Sequence, residues 1–141
     1  MILCDAGPLL CLVDRTQPQH SAYVRVVSQV EESLVTTWAC MAEAMHFALK
    51  RGQWPMQRQL LNFLESEELL VISEIQKAEY ARLIELLEKY QDRPMDLADA
   101  TLVLTAERIG ETRILTLDSD FSIYRINGRT SFDIVQVERS G

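Results

Sequence analysis

Asp5, Glu43, Asp96, Asp99 and Asp118 are the residues best placed to do chemistry, because each lies beside or within an apolar segment that gains nothing from a charge. Carboxylates brought together repel one another unless a cation joins them, so the pattern reads as an acidic metal site. An oxygen-only donor set without a Cys/His cluster selects a hard cation, Mg²⁺ or Mn²⁺, over zinc. One or two such ions activate water, polarise a phosphate and stabilise a leaving oxygen.

The elements that must position these acids follow from the apolar pattern. Ile2-Leu3-Cys4 reads as a short strand, and Gly7-Pro8 opens a helix through about Val13, with Pro8 at the first helical position. A helix over about 19–31 repeats Tyr23, Val26, Val27 and Val30 at helical spacing. Leu34 to Thr37 forms the second strand, Trp38 to Lys50 a helix closed by Gly52, and Pro55 starts another that reaches about Ser66. Leu69 to Ile72 is the third strand, before a helix over about 75–90. After Asp92-Arg93-Pro94 comes a helix from Leu97 to Ile109, apolar on nearly every side and so expected to be central. Ile114 to Leu117 is a fourth strand, and the segment from Thr130 to Val137 supplies a fifth after an Asn127-Gly128 turn. Ile123 to Ile126 offers a hairpin with that segment as the other pairing.

Strands separated by helices need crossovers, so the expected fold is α/β, a three-layer α/β/α sandwich with a mainly parallel four- to five-stranded sheet. Such sheets bind ligands at the carboxyl ends of their strands, where strand order reverses. Asp5 and Asp118 both follow a strand directly.

Each acid also has a plainer reading. With Pro8 at the first helical position Gly7 becomes the N-cap, which leaves Asp5 too early to cap. Asp96 is a good cap, and Asp99 at the third helical position suits the helix dipole, yet Asp99 shares a face with Leu102, Val103 and Ala106. Glu43 has the form of a solvated helical glutamate beside Ala39, Ala42, His46 and Phe47. Asp118 and Asp120 flank Ser119 in a turn where Asp is common.

Composition sets the outer bounds. With 141 residues and 48% hydrophobic composition the chain fits one domain over residues 1–141, with no room for a second catalytic one. A net charge of −7, from 14 Lys and Arg against 21 Asp and Glu, excludes a basic stripe as the main grip on nucleic acid. The N-terminus lacks a basic region, and no apolar run reaches the length of a membrane span, so a soluble, cytoplasmic protein is expected. Cys4, Cys11 and Cys40 lack paired spacing and read as buried thiols.

Asp5-Ala-Gly after the first strand, Glu43 after the second, Asp96-Leu-Ala-Asp99-Ala opening a buried helix, and Thr116-Leu-Asp118-Ser-Asp-Phe121 together resemble a PIN domain. More narrowly, the chain resembles the VapC-like ribonuclease toxins of prokaryotic toxin–antitoxin pairs, over nearly its whole length. The resemblance implies a Mg²⁺- or Mn²⁺-dependent endoribonuclease with Asp5, Glu43, Asp99 and Asp118 as its acidic positions, Asp96 as a supplementary carboxylate, and Thr116 orienting the last acid. On this reading Asp5 and Asp99 are the main ligands, Asp118 completes the set directly or through water, and Glu43 orients or deprotonates the attacking water. It further implies an RNA substrate, a homodimer and a cognate antitoxin that lays a helix in a groove and covers the acidic site with a basic side chain.

Arg15, Lys50, Arg51, Arg93, Arg125 and Arg129 are candidate phosphate contacts, and Phe121 and Tyr124 are either base-stacking rings near Asp118 or core. His46, one turn after Glu43, could tune the site, His20 starts the second helix, and Trp38 and Trp54 anchor the core or an interface. A non-catalytic PIN-like interaction module is the alternative from another class. A phosphoacceptor receiver domain is disfavoured, because Ile72 leads into Ser73-Glu74 and no lysine follows Lys89.

Overall fold

The computed structural model describes residues 1–66 and 68–137. Its main sheet has the order β3-β2-β1-β4-β7, built from β1 (Ile2–Cys4), β2 (Leu34–Thr37), β3 (Leu70–Ser73), β4 (Arg113–Leu115) and β7 (Asp133–Ile134). All its pairings are parallel, including Leu3 with Val35 and Leu3 with Ile114. A separate hairpin joins β5 (Arg125–Ile126) to β6 (Thr130–Ser131). Both readings of the C-terminal region hold, because the two-residue β6 ends early enough for Asp133 to join β4. Asn127 and Gly128 take the positive φ of 53° and 75° that such a tight turn requires.

The chain steps outward from β1 to β3 through α1 (Ala6–Val13), α2 (His20–Gln29) and α3 (Trp38–Glu65). It then returns past β1 to β4 through α4 (Tyr80–Lys89) and α5 (Leu97–Ile109). Right-handed crossovers that reverse direction put α1 to α3 on one face and α4 and α5 on the other, completing the three-layer sandwich. Packing agrees: α1 lies on α2 and α3, and α4 on α5. The reversal falls between β1 and β4, where two neighbouring strand ends diverge into different layers.

Burial matches these positions. Every residue of β1 and β2 is buried, whereas edge strand β3 is only partly covered. In α5 the run from Ala98 to Ala106 is buried, because the helix lies between the sheet and α4 and also meets α3. Its sequence, with no polar face, reflects that enclosure.

The break in α3 falls one residue later than Gly52 suggests. Gln53 takes φ 59° and ψ −157°, and Pro55 follows in the first turn of the second segment, where its missing N–H costs nothing. Gly52 has a different role: a Cβ there would lie 2.6 Å from Met56 Cε and 2.7 Å from Met56 Cβ. Trp38 and Trp54 are exposed and anchor no core. Phe121 and Tyr124 are fully buried, stacked edge-to-face with each other and with Phe132 and Tyr90, so the core reading holds for both. Cys4, Cys11 and Cys40 are buried free thiols. Among the described residues, no helix is long and apolar enough to cross a membrane.

Candidate active site

At the end of β1, Asp5 is the N-cap of α1, which corrects the assignment of that place to Gly7. Pro8 occupies the third helical position, where its lack of an N–H is equally harmless because the first four N–H groups have no helical partner. Asp5 Oδ1 accepts from Ala6 N at 2.8 Å, and Oδ2 accepts from Thr116 Oγ1 at 2.8 Å. Asp5 N in turn donates to Leu115 O at 2.9 Å, tying the exits of β1 and β4 together.

Thr116 therefore does two things. Besides donating to Asp5, its Oγ1 accepts from Asp118 N at 3.0 Å. The expected partner was Asp118 alone; the side chain it orients is that of Asp5, and it holds Asp118 by the backbone. Asp118 caps the short 3-10 turn Ser119–Ser122, with Oδ1 accepting from Asp120 N at 2.9 Å.

On the other wall, Asp96 and Asp99 make a reciprocal cap at the start of α5. Asp96 Oδ1 accepts from Asp99 N at 2.8 Å, and Asp99 Oδ2 takes a longer 3.4 Å bond from Asp96 N. Asp99 Oδ2 also accepts from the Tyr124 hydroxyl at 3.1 Å. Glu43, half-buried on α3, completes the ring; Thr37 caps that helix by accepting from Cys40 N at 3.3 Å. All five acids, with Ala6, Gly7 and Leu117, line one cleft of about 260 Å³.

Electrostatics mark the cleft as charge-frustrated. Burial raises the Asp5 carboxyl, opposed by its Thr116 and Ala6 bonds and reinforced by Asp118 and Asp96. Burial and then the charges of Asp96, Asp5 and Asp118 raise Glu43. Asp99 is pushed up to about 7, first by desolvation and then by Asp96 and Asp5, against the lowering bond from Tyr124. Each group is destabilised as an anion by the others, which a cation would reverse.

The donor set fits a hard divalent ion. Asp5, Asp96, Asp99 and Asp118 offer carboxylate oxygens with lone pairs beyond those used internally, and no histidine lines the cleft. Cys40 Sγ comes within 3.9 Å of Asp5 Oδ1, but burial raises its thiol to about 12 and keeps it protonated. Among the described residues, no three His, Cys, Asp or Glu groups already converge as a ready ligand set. The acids ring the cleft, with Asp5 and Asp99 buried and Asp118, Asp96 and Glu43 not.

His46 is exposed, with its ring against Phe47. Of the basic candidates, Arg93 is drawn to the rim, 3.9 Å from Asp120. Arg51 pairs with Asp14 at 3.7 Å, and Arg125 Nη1 donates to the carbonyls of Ser122, Ile123 and Tyr124, so both have structural work. Arg15, Lys50 and Arg129 are exposed. The Tyr124 bond to Asp99 and the place of Leu117 on the cleft wall had no local signature, since both depend on segments far apart in sequence.

A family model described as PIN domain matches residues 2–127. Ribonuclease VapC26 of Mycobacterium tuberculosis is 27% identical over 135 residues, covering 95% of this chain and 99% of the relative. The crystal structure of Mycobacterium tuberculosis VapC20, described as a sarcin-ricin loop cleaving toxin, superposes with a TM-score of 0.78 at 15% identity. It covers 87% of this chain and 94% of that one, and the likeness shows a shared fold.

Proposed function

Because the chain belongs to the PIN domain family, we propose that it is a divalent-cation-dependent endoribonuclease and the toxin of a toxin–antitoxin pair. The observation that carries the reading is the ring of Asp5, Glu43, Asp96, Asp99 and Asp118 around one cleft at the point where strand order reverses. Its similarity to a named ribonuclease across 99% of that relative's length supports the substrate class.

Asp5, Asp99 and Asp118 hold Mg²⁺ or Mn²⁺ in this scheme, with Asp96 as a fourth carboxylate. The bound ion supplies Lewis acidity and positive charge opposite the phosphate. Asp5 is fixed at both oxygens before any ligand arrives, so it sets the site's position. Asp99 is held by Tyr124 from the core side. Glu43, with its proton affinity raised by burial and by its neighbours, orients the attacking water and accepts its proton. The water oxygen bonds to phosphorus as one phosphorus–ribose oxygen bond breaks.

The partners follow from the same reading. An antitoxin segment with a basic side chain would satisfy the acidic cleft, and exposed apolar residues offer it and a second copy their contacts: Phe47, Leu49 and Trp54 on α3, Tyr80 and Ile84 on α4. The proposed compartment is the cytoplasm, where an RNA target and buried free thiols are both at home. The test is to incubate the protein with total cellular RNA and Mg²⁺ and map the new ends. Cleavage at defined positions, lost in Asp99→Asn, is expected; random or absent cleavage together with no Mn²⁺ binding by calorimetry would favour a non-catalytic interaction module.

A further inference from the structure

Beside the acidic cleft lies a larger groove of about 520 Å³, walled by Trp38, Ile75 and Leu97, with polar atoms from Thr37, Ser73, Glu74 and Thr101. The start of α5 lines both, with Asp96 in the cleft and its neighbour Leu97 in the groove. Trp38 is 53% exposed, a large aromatic face that the core does not use.

The groove's hydrogen-bonding character follows from counting protons. Thr101 Oγ1 donates to Ala98 O at 2.7 Å, and a hydroxyl has one proton, so Thr37 is the donor in its 2.8 Å pair with Thr101. Thr105 Oγ1 donates its one proton to Thr101 O at 2.9 Å or to Ser73 Oγ at 3.0 Å, so the Ser73 hydroxyl accepts in that contact and keeps its own proton. Trp38 Nε1 faces Glu74 Oε1 at 3.4 Å. Thr37, Thr101 and Trp38 thus direct their side-chain donors to the protein, Ser73 keeps one hydroxyl proton, and the Glu74 carboxylate has lone pairs left for a ligand. Such a surface repels phosphate and accepts a flat ring that brings its own N–H groups.

We infer that this groove is a nucleobase subsite in which Trp38 stacks a base of the RNA strand cut in the acidic cleft and Glu74 accepts that base's N–H donors. The inference rests on the ribonuclease reading above. Guanine fits best, because its N1–H and N2–H are adjacent donors that match the two oxygens of one carboxylate. Uracil offers a single N–H between two carbonyls that Glu74 repels. Stacking on an aromatic face is itself tolerant of base identity, so Trp38 governs affinity and Glu74 governs choice.

The test uses the full chain carrying Trp54→Phe, an exposed position, so that fluorescence reports Trp38 alone. Oligoribonucleotides, all uridine or uridine with one guanine, are titrated in Ca²⁺, a larger cation whose looser coordination favours binding without cleavage. The guanine oligomer should quench Trp38 and bind about tenfold more tightly, with Glu74→Gln erasing the difference. With the same oligomers followed by anisotropy, Trp38→Ala should weaken binding about tenfold and Trp38→Phe should restore most of it. Equal binding of the two oligomers without quenching overturns the inference. So does a Trp38→Ala protein that changes mass by light scattering yet binds RNA unchanged, which would make the groove a protein interface. Guanine-dependent quenching in a protein that cuts no RNA would support the subsite and contradict the ribonuclease reading.

Discussion

Thr116 Oγ1 lies 2.8 Å from Asp5 Oδ2, joining residues 111 positions apart at the exits of two adjacent parallel strands. The same oxygen receives the Asp118 backbone N–H, so one hydroxyl sets two of the acids.

Thr116→Val should therefore cost more than an isolated hydrogen bond. The valine leaves Asp5 Oδ2 and Asp118 N unpaired, for a stability loss of about 1–2 kcal/mol. Steady-state RNA cleavage should fall roughly 10²-fold, with the loss in kcat, while Thr116→Ser keeps most of it. A valine variant of unchanged kcat would show that the hydroxyl does not position the site.

The raised Asp99 carboxyl predicts an unusual pH dependence for the metal-free protein. Its folded value, about 7, lies above the ordinary 3.8, so between these limits the native state binds more protons than the unfolded one. Stability must then fall as pH rises from about 4 to about 7 and level off above, as far as this group is concerned. Asp99→Asn removes that slope and should gain roughly 1–2 kcal/mol at pH 8 in EDTA, after allowance for solvent screening. Urea denaturation at several pH values reads it; a wild-type slope retained in the variant contradicts the assignment.

Tyr124→Phe keeps the ring in its edge-to-face packing with Phe121 and Tyr90 but removes the donor to Asp99. That donor lowers the Asp99 value, so its loss should move the acid limb of the cleavage pH profile upward. The stability cost should stay near 1 kcal/mol. An unmoved acid limb would remove Tyr124 from the site.

Gln53 holds a backbone region that side chains avoid, with φ 59° and ψ −157°. Gln53→Gly should raise the unfolding free energy by about 1 kcal/mol, and Gln53→Val should lower it by at least as much. Thermal denaturation of the pair checks the sign. A stabilising valine would mean the break in α3 is not strained.

The strands and helices were legible because their signals are local: short apolar or β-branched runs for β1 to β4, an α5 apolar on nearly every side, and a Gly-Pro-bearing break in α3. Asp99 stood out for the same reason, a carboxylate in a helix with no polar face. The cap at Asp5 was misassigned because Pro8 suits the third helical position as well as the first, and only the path of β1 decides between them. The Thr116–Asp5 and Tyr124–Asp99 bonds span 111 and 25 residues, and periodicity carries no information about such pairings. Glu43 was only weakly marked by its apolar neighbours, and its role came mainly from the family pattern.

The central claim is that the acidic cleft cuts RNA with a divalent ion held by its carboxylates, and Asp5→Asn tests it most directly. Single-turnover cleavage of RNA is measured for wild type and variant in Mg²⁺ and in EDTA, with circular dichroism confirming the fold. Wild type should cut only in Mg²⁺, and the variant should lose at least about 10³-fold while staying folded and equally or more stable in EDTA. Full activity in Asp5→Asn, or wild-type cleavage undiminished by EDTA, would contradict the mechanism.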